Sequence, residues 1–144
     1  MIDSPIRSPR AKLGDLHHIG RLFDKIQSDL AGTLPKEYLE NLGLAVGSDG
    51  FLCGLLGVKF EDVSQKVFEG LSDEELVEWR FPKGLRPNPM QRRIWKGFSE
   101  KFGQRDMATS AIETFKEEDG LKKREDILTA FDLIDEQEAR SQND

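Results

Sequence analysis

Three groups of side chains in this 144-residue chain have the types and spacing to do chemistry. His17, Arg21, Asp24 and Ser28 fall at i, i+4, i+7 and i+11, one side of a helix, with His18 and Lys25 beside them. A histidine, an arginine and a carboxylate on one rigid helix can bind an anion or move a proton. His18, Arg21 and Asp24 are the set that would serve an inter-helical pocket. The plainer alternative is a solvated helix face whose charges form weak surface pairs. His17 and His18 project about 100° apart on a helix, so the two are not a chelate and no metal site is expected.

The second group is basic. Arg92, Arg93 and Lys96, with Arg86 from the preceding loop, have the planar forks and point charges to clamp a phosphate. Trp95 and Phe98 interleave with them, as on a nucleic-acid surface, but both also fit the apolar stripe of the same helix. With no RNP or helix-turn-helix signature, nucleic acid is not expected as a partner. The third is Cys53, set between Leu52 and Leu55 in the most apolar stretch, where a thiol behaves as a small inert hydrophobe.

The charge is uneven. Arg80–Arg105 holds eight basic residues against one acid, Glu100, a window of +7 in a chain of −6 whose remainder therefore carries −13. Such a patch meets either an external anion or the protein's own acidic helices. One cysteine excludes an internal disulfide and a cysteine-based zinc site. No run of about 18 apolar residues exists, so no membrane span is expected. The opening MIDSPIRSPRAK lacks the apolar core of a signal peptide, which implies a cytoplasmic protein. Walker, G-x-G-x-x-G, G-x-S-x-G, H-E-x-x-H and EF-hand patterns are absent, and no cofactor is expected.

The elements that must position these residues read as helices. Leu16, Ile19, Phe23, Ile26 and Leu30 step by three or four, predicting a helix from Asp15, as N-cap, to Ala31, stopped by Gly32. Pro35 opens a short helix ended by Gly43, FLCGLLG forms a buried helical stretch ended by Gly57, and Phe60–Glu69 another ended by Gly70. Ser72-Asp73-Glu74-Glu75 is a capping box with Leu71 and Leu76 as its staple, and Pro82 is expected to end that helix near Phe81. Residues 82–89 form a proline-rich loop. Asn88 and Gln91 make a second capping box around Pro89, opening a helix with Ile94, Trp95, Phe98 and Phe102 inward. Asp106 opens the next, with Ile112 and Phe115 inward. The last runs from about Arg124 to Glu138, with Ile127, Leu128, Phe131 and Ile134 inward.

Residues 1–13 read as a loose lead-in and 139–144 as a frayed tail. The fold expected is a single compact all-α bundle of about six or seven short helices. Its core is expected to include Leu55, Val67 and Leu76 besides the residues of the first and last helices.

The order of these signals resembles an uncharacterised bacterial family, the domain-of-unknown-function family five thousand and sixty-nine. Ser8-Pro9-Arg10, Leu13-Gly14, His18-Ile19, Arg21-Leu22 and Asp24-Lys25 carry the resemblance. So do Leu30-Ala31-Gly32, Leu55-Leu56-Gly57, the Ser72–Glu75 block with Trp79, and Asp132-Leu133-Ile134-Asp135. Residues 33–52 depart from the pattern. The resemblance supplies a lineage and no reaction. Two functions follow from the residues themselves. One is a non-catalytic binding protein with a basic surface (Arg86, Arg92, Arg93, Lys96) for an anionic small molecule or an acidic protein surface. The other is a small enzyme or ligand-binding protein using His18, Arg21 and Asp24.

Overall fold

The first helix begins later than its apolar spacing suggests. In the computed structural model, which describes residues 6–13, 16–45, 47–83 and 87–138 (side chains of 80–83 excepted), Leu16 and His17 lie in a strand. This strand, β2 (Leu16–His17), pairs antiparallel with β1 (Lys12–Leu13), in the register Lys12 to His17 and Leu13 to Leu16. Helix α1 then runs Ile19–Leu30. Leu16 points inward either way, so the spacing alone does not separate strand from helix. The switch is made by His18, in the left-handed region at φ 75°. Asp15, expected as the cap, lies outside the described residues.

The remaining helices are α2 (Lys36–Leu39), α3 (Ser48–Leu56), α4 (Phe60–Phe68), α5 (Asp73–Lys83), α6 (Pro89–Lys101), α7 (Thr109–Glu118) and α8 (Ala130–Gln137). The fold is all-α apart from the two-residue hairpin, with eight helices among the described residues rather than six or seven. Helix α5 continues past Pro82. A proline so near a C-terminus withholds a single backbone bond, which a last turn tolerates. Helix α8 starts at Ala130 rather than Arg124, because Thr129 and Asp132 form a capping box there. The preceding chain is held open by Lys116, whose buried Nζ donates to the carbonyls of Arg124 and Ile127 at 2.8 and 3.1 Å.

Most of the core is one cluster, in which the inward rows of α1 and α3 meet Val63, Leu76, Val77 and Trp95. A smaller cluster joins Ile112, Ile127 and Leu133. Leu16, Ile19, Phe23, Ile26, Leu76, Ile112 and Phe131 are buried as expected. Leu55, Val67 and Ile134 are half-buried. Ile94, Phe98, Phe115 and Leu128, expected inward, are exposed. The lead-in read as loose packs from Ile6 onward, with Ile6 and Pro9 fully buried.

The capping box of α5 is formed as read. The Glu75 N–H donates to Ser72 Oγ at 3.2 Å, and the Ser72 N–H to Glu75 Oε1 at 3.0 Å. Ser72→Ala should cost about 1 kcal/mol in chemical denaturation. Glu75→Ala added to it should cost less than it does alone, because the two residues serve one motif. Additive losses would show that the box contributes nothing as a unit.

Candidate functional site

The polar side of α1 is not solvated. His17, His18, Arg21 and Lys25 are all buried, and each meets a partner from another part of the chain. At the helix start His18 Nε2 lies 2.6 Å from Asp49 Oδ1. The other oxygen of Asp49 accepts from Lys25 Nζ at 2.8 Å and from the Gly43 N–H at 3.0 Å. A carboxylate only accepts, so Nε2 carries the hydrogen and Nδ1 the lone pair. That Nδ1 is buried without a hydrogen-bond partner among the described residues.

Burial sets the protonation states here. Desolvation pulls His18 below its ordinary pKa of 6.5 despite Asp49, and pulls Lys25 down likewise. Burial alone would raise Asp49, but the hydrogen bond from His18 and the charge of Lys25 outweigh it and hold the carboxyl well below its usual range. One turn further on, burial and the charges of Asp49 and Glu61 push the Cys53 thiol up to about 12. It is buried in the core cluster, where a thiol packs as a small hydrophobe.

Arg21 makes a bidentate pair with Glu138, Nη1 to Oε1 at 2.9 Å and Nη2 to Oε2 at 2.7 Å. Tyr38 Oη donates to the same Oε2 at 2.8 Å, and the guanidinium lies 5.6 Å from the Tyr38 ring centre. Burial and the bond to Glu138 raise the Tyr38 phenol to about 12. Asp24 accepts Arg7 Nε at 2.9 Å, and Arg7 Nη1 reaches on to Asp73 at 2.9 Å. Arg7 crosses α1 at Gly20, where a Cβ would stand 2.9 Å from the guanidinium carbon. The lead-in is fastened to α8 by Ser8 Oγ donating to Asp135 at 2.7 Å and by Arg10, which pairs with both Asp132 and Asp135.

His18, Arg21 and Asp24 thus share one helix but turn to three different partners, Asp49, Glu138 and Arg7. The cavity beside α1, about 10 Å³, is lined by Ile19, Leu22, Phe23 and other apolar neighbours and by none of those three. That is barely room for one water. The cluster ties α1 to α3, to the end of α8 and to the lead-in.

The basic window lies on α6. Arg86 is outside the described residues. Arg92 is half-buried and donates to the Pro87 carbonyl at 2.7 Å. Arg93 is exposed, and Lys96 is exposed beside Glu100 at 3.4 Å. The helix is anchored by Trp95, buried with Nε1 donating to the His17 carbonyl at 3.0 Å. Its other side bears Met90, Ile94 and Phe98 at i, i+4 and i+8, exposed by 57, 61 and 40%. Phe98 keeps its inner edge against Phe51, Trp95 and Phe102. Gly97 lies beside this row, where a Cβ would meet nothing within 4 Å. Among the described residues no group of His, Cys, Asp and Glu could hold a metal ion, and no helix is long and apolar enough to cross a membrane.

An ion-paired helix start, a lead-in strapped across α1 and an exposed amphipathic α6 mark an all-α fold with one small hairpin. The chain belongs to the family described as a domain of unknown function (DUF5069), whose model matches residues 3–140. No curated protein matches it. Sequence reasoning missed Arg7, Tyr38, Asp49 and Glu138, whose partners lie far along the chain. Local spacing carries no signal for such pairs. A partial signal existed in the motifs that carry the resemblance, since Ser8-Pro9-Arg10 and Asp132…Asp135 are the two that meet.

Arg21→Ala would strand a buried Glu138 and should cost about 3–5 kcal/mol, read by urea denaturation. Adding Glu138→Gln should recover part of that loss. The pH dependence is also fixed in sign. Because His18 is depressed in the fold, the unfolded chain takes up a proton near its ordinary pKa of 6.5 that the folded chain refuses. Stability should therefore be full above about that pH and fall below it. In His18→Gln the melting temperature should hold until the carboxylate range, where Asp49 adds its own loss.

Proposed function

We propose that this chain is a non-catalytic binding protein whose docking surface is the outward face of α6, and that its partner is an acidic amphipathic protein segment. The observation that carries this is the exposed row of Met90, Ile94 and Phe98 on a helix that sets Arg93 and Lys101 beside it. A contiguous apolar row rimmed by charge of one sign is the composition of an interaction surface. Its cations select an acidic partner, and its row of side chains supplies the anchors. Of the four basic residues read as a surface, Arg93 is exposed beside the row, Lys96 is exposed on the far side of the helix next to Glu100, and Arg92 is turned to a backbone carbonyl.

Gly97 supports the same reading. A glycine inside a helix costs up to about 1 kcal/mol relative to alanine, and nothing among the described residues occupies the space it leaves. A partner helix approaching closely would use that space. The enzymatic alternative finds less support, because His18, Arg21 and Asp24 are each committed to an internal partner.

The probe is a synthetic helix-forming peptide with leucines along one face and glutamates on the rest, followed by fluorescence anisotropy. It should bind, weaken as salt is added, and be lost in Ile94→Glu, whose side chain is too exposed for the fold to depend on it. Gly97→Ala should raise stability by about 0.5–1 kcal/mol while weakening peptide binding. Absence of peptide binding, or binding indifferent to Ile94→Glu, would overturn the proposal. Polyphosphate that stabilises the wild type and Ile94→Glu equally would instead mark a plain anion site.

A further inference from the structure

Besides α6, the chain exposes a second apolar surface, an open groove of about 350 Å³ at the end of α1 and along α4, lined by Leu30, Phe60, Glu61, Ser64, Gln65 and Phe68. Phe68 is 69% exposed and Leu30 47%. Such rings facing water on a short helix mark a covered surface more often than a bare one. Three features of this groove match α6.

The first is length. Phe60, Ser64 and Phe68 stand at i, i+4 and i+8 of α4, as Met90, Ile94 and Phe98 do on α6, so both rows span about 12 Å. Rows at a spacing of four are the ridges that interdigitate in the commonest helix-on-helix packing. The second is relief. The α4 row is large, small, large, with Ser64 between two phenylalanines. The third is charge. Glu61 lines the groove, and exposed Asp29 precedes Leu30 at its end. The α6 row is flanked by exposed Arg93, three positions from Met90, and Lys101, three from Phe98.

We infer that the acidic partner of α6 is a second copy of this chain, its α6 row seated in the α1–α4 groove of the first. This inference rests on the reading of α6 as a docking surface and adds the identity of the partner. The contact is heterologous: each chain offers one surface and receives the other, so association continues until a ring closes or a row of subunits extends. Opposite charges on the two surfaces disfavour α6 pairing with α6.

The experiment is sedimentation of the full chain over a range of concentrations, with two exposed-site variants, Ile94→Glu on α6 and Phe68→Glu in the groove. The wild type should exceed the mass of one chain as concentration rises. Each variant alone should associate about tenfold more weakly or worse. An equimolar mixture of the two retains one intact α6 and one intact groove, and so should form a pair of one chain each that grows no further. Wild type that stays monomeric at the highest concentration, or Phe68→Glu that associates like wild type, would overturn the inference. Failure to pair on mixing would do the same. Peptide binding to α6 reports separately on the docking surface. A monomer that binds the acidic peptide refutes self-association alone, whereas loss of peptide binding refutes the surface itself.

Discussion

A charge withdrawn from water must be met by an opposite one, and α1 withdraws several along a single face. Arg21 and Lys25 are as buried as the isoleucines beside them, and His18 is more so than most. Desolvation of this kind costs several kcal/mol per ion unless good geometry offsets it. The geometry is supplied from elsewhere: the first turn of α3 provides Asp49, and the end of α8 provides Glu138. Asp24 turns outward to Arg7, which reaches the first turn of α5. The arrangement of four elements around α1 is therefore set as much by charge pairing as by apolar contact. Removing one ion would strand another, so the elements are bound to one register.

What the sequence disclosed follows from range. Capping boxes at Ser72 and Asn88 were legible because both halves of each lie within one turn. The inward row of α1 was legible because apolar side chains announce their own destination. Its polar row was not, since an arginine looks the same in a sequence whether it faces water or a glutamate 117 residues away. The start of α1 was misplaced because Leu16 serves the core from a strand as well as from a helix. The α6 row failed for the opposite reason. Ile94 and Phe98 have the spacing of a buried stripe, but Trp95 and Phe102 on the adjacent arc fill the core position first.

Helix α6 therefore has two apolar sides with different uses. One holds the domain together through Trp95, whose ring nitrogen is tied to the β2 backbone. The other is left to solvent. Excess apolar spacing of this kind, read from sequence, is indistinguishable from a deep core. Only the assignment of the inner positions shows which residues lie outside the core.

The pairing of residues 8, 10 and 21 with residues 132–138 has a consequence for how the protein is made. Ser8 and Asp135 are 127 positions apart, and Arg21 and Glu138 are 117. A ribosome delivers the arginine first and the glutamate more than a hundred residues later, at about 5–20 residues per second. Throughout that interval the first helix cannot settle into its final surroundings without leaving a cation unanswered. Contacts of such long range also slow folding by the loop entropy they must close. The ion pairs that fix the first helix are thus among the last that a growing chain can form.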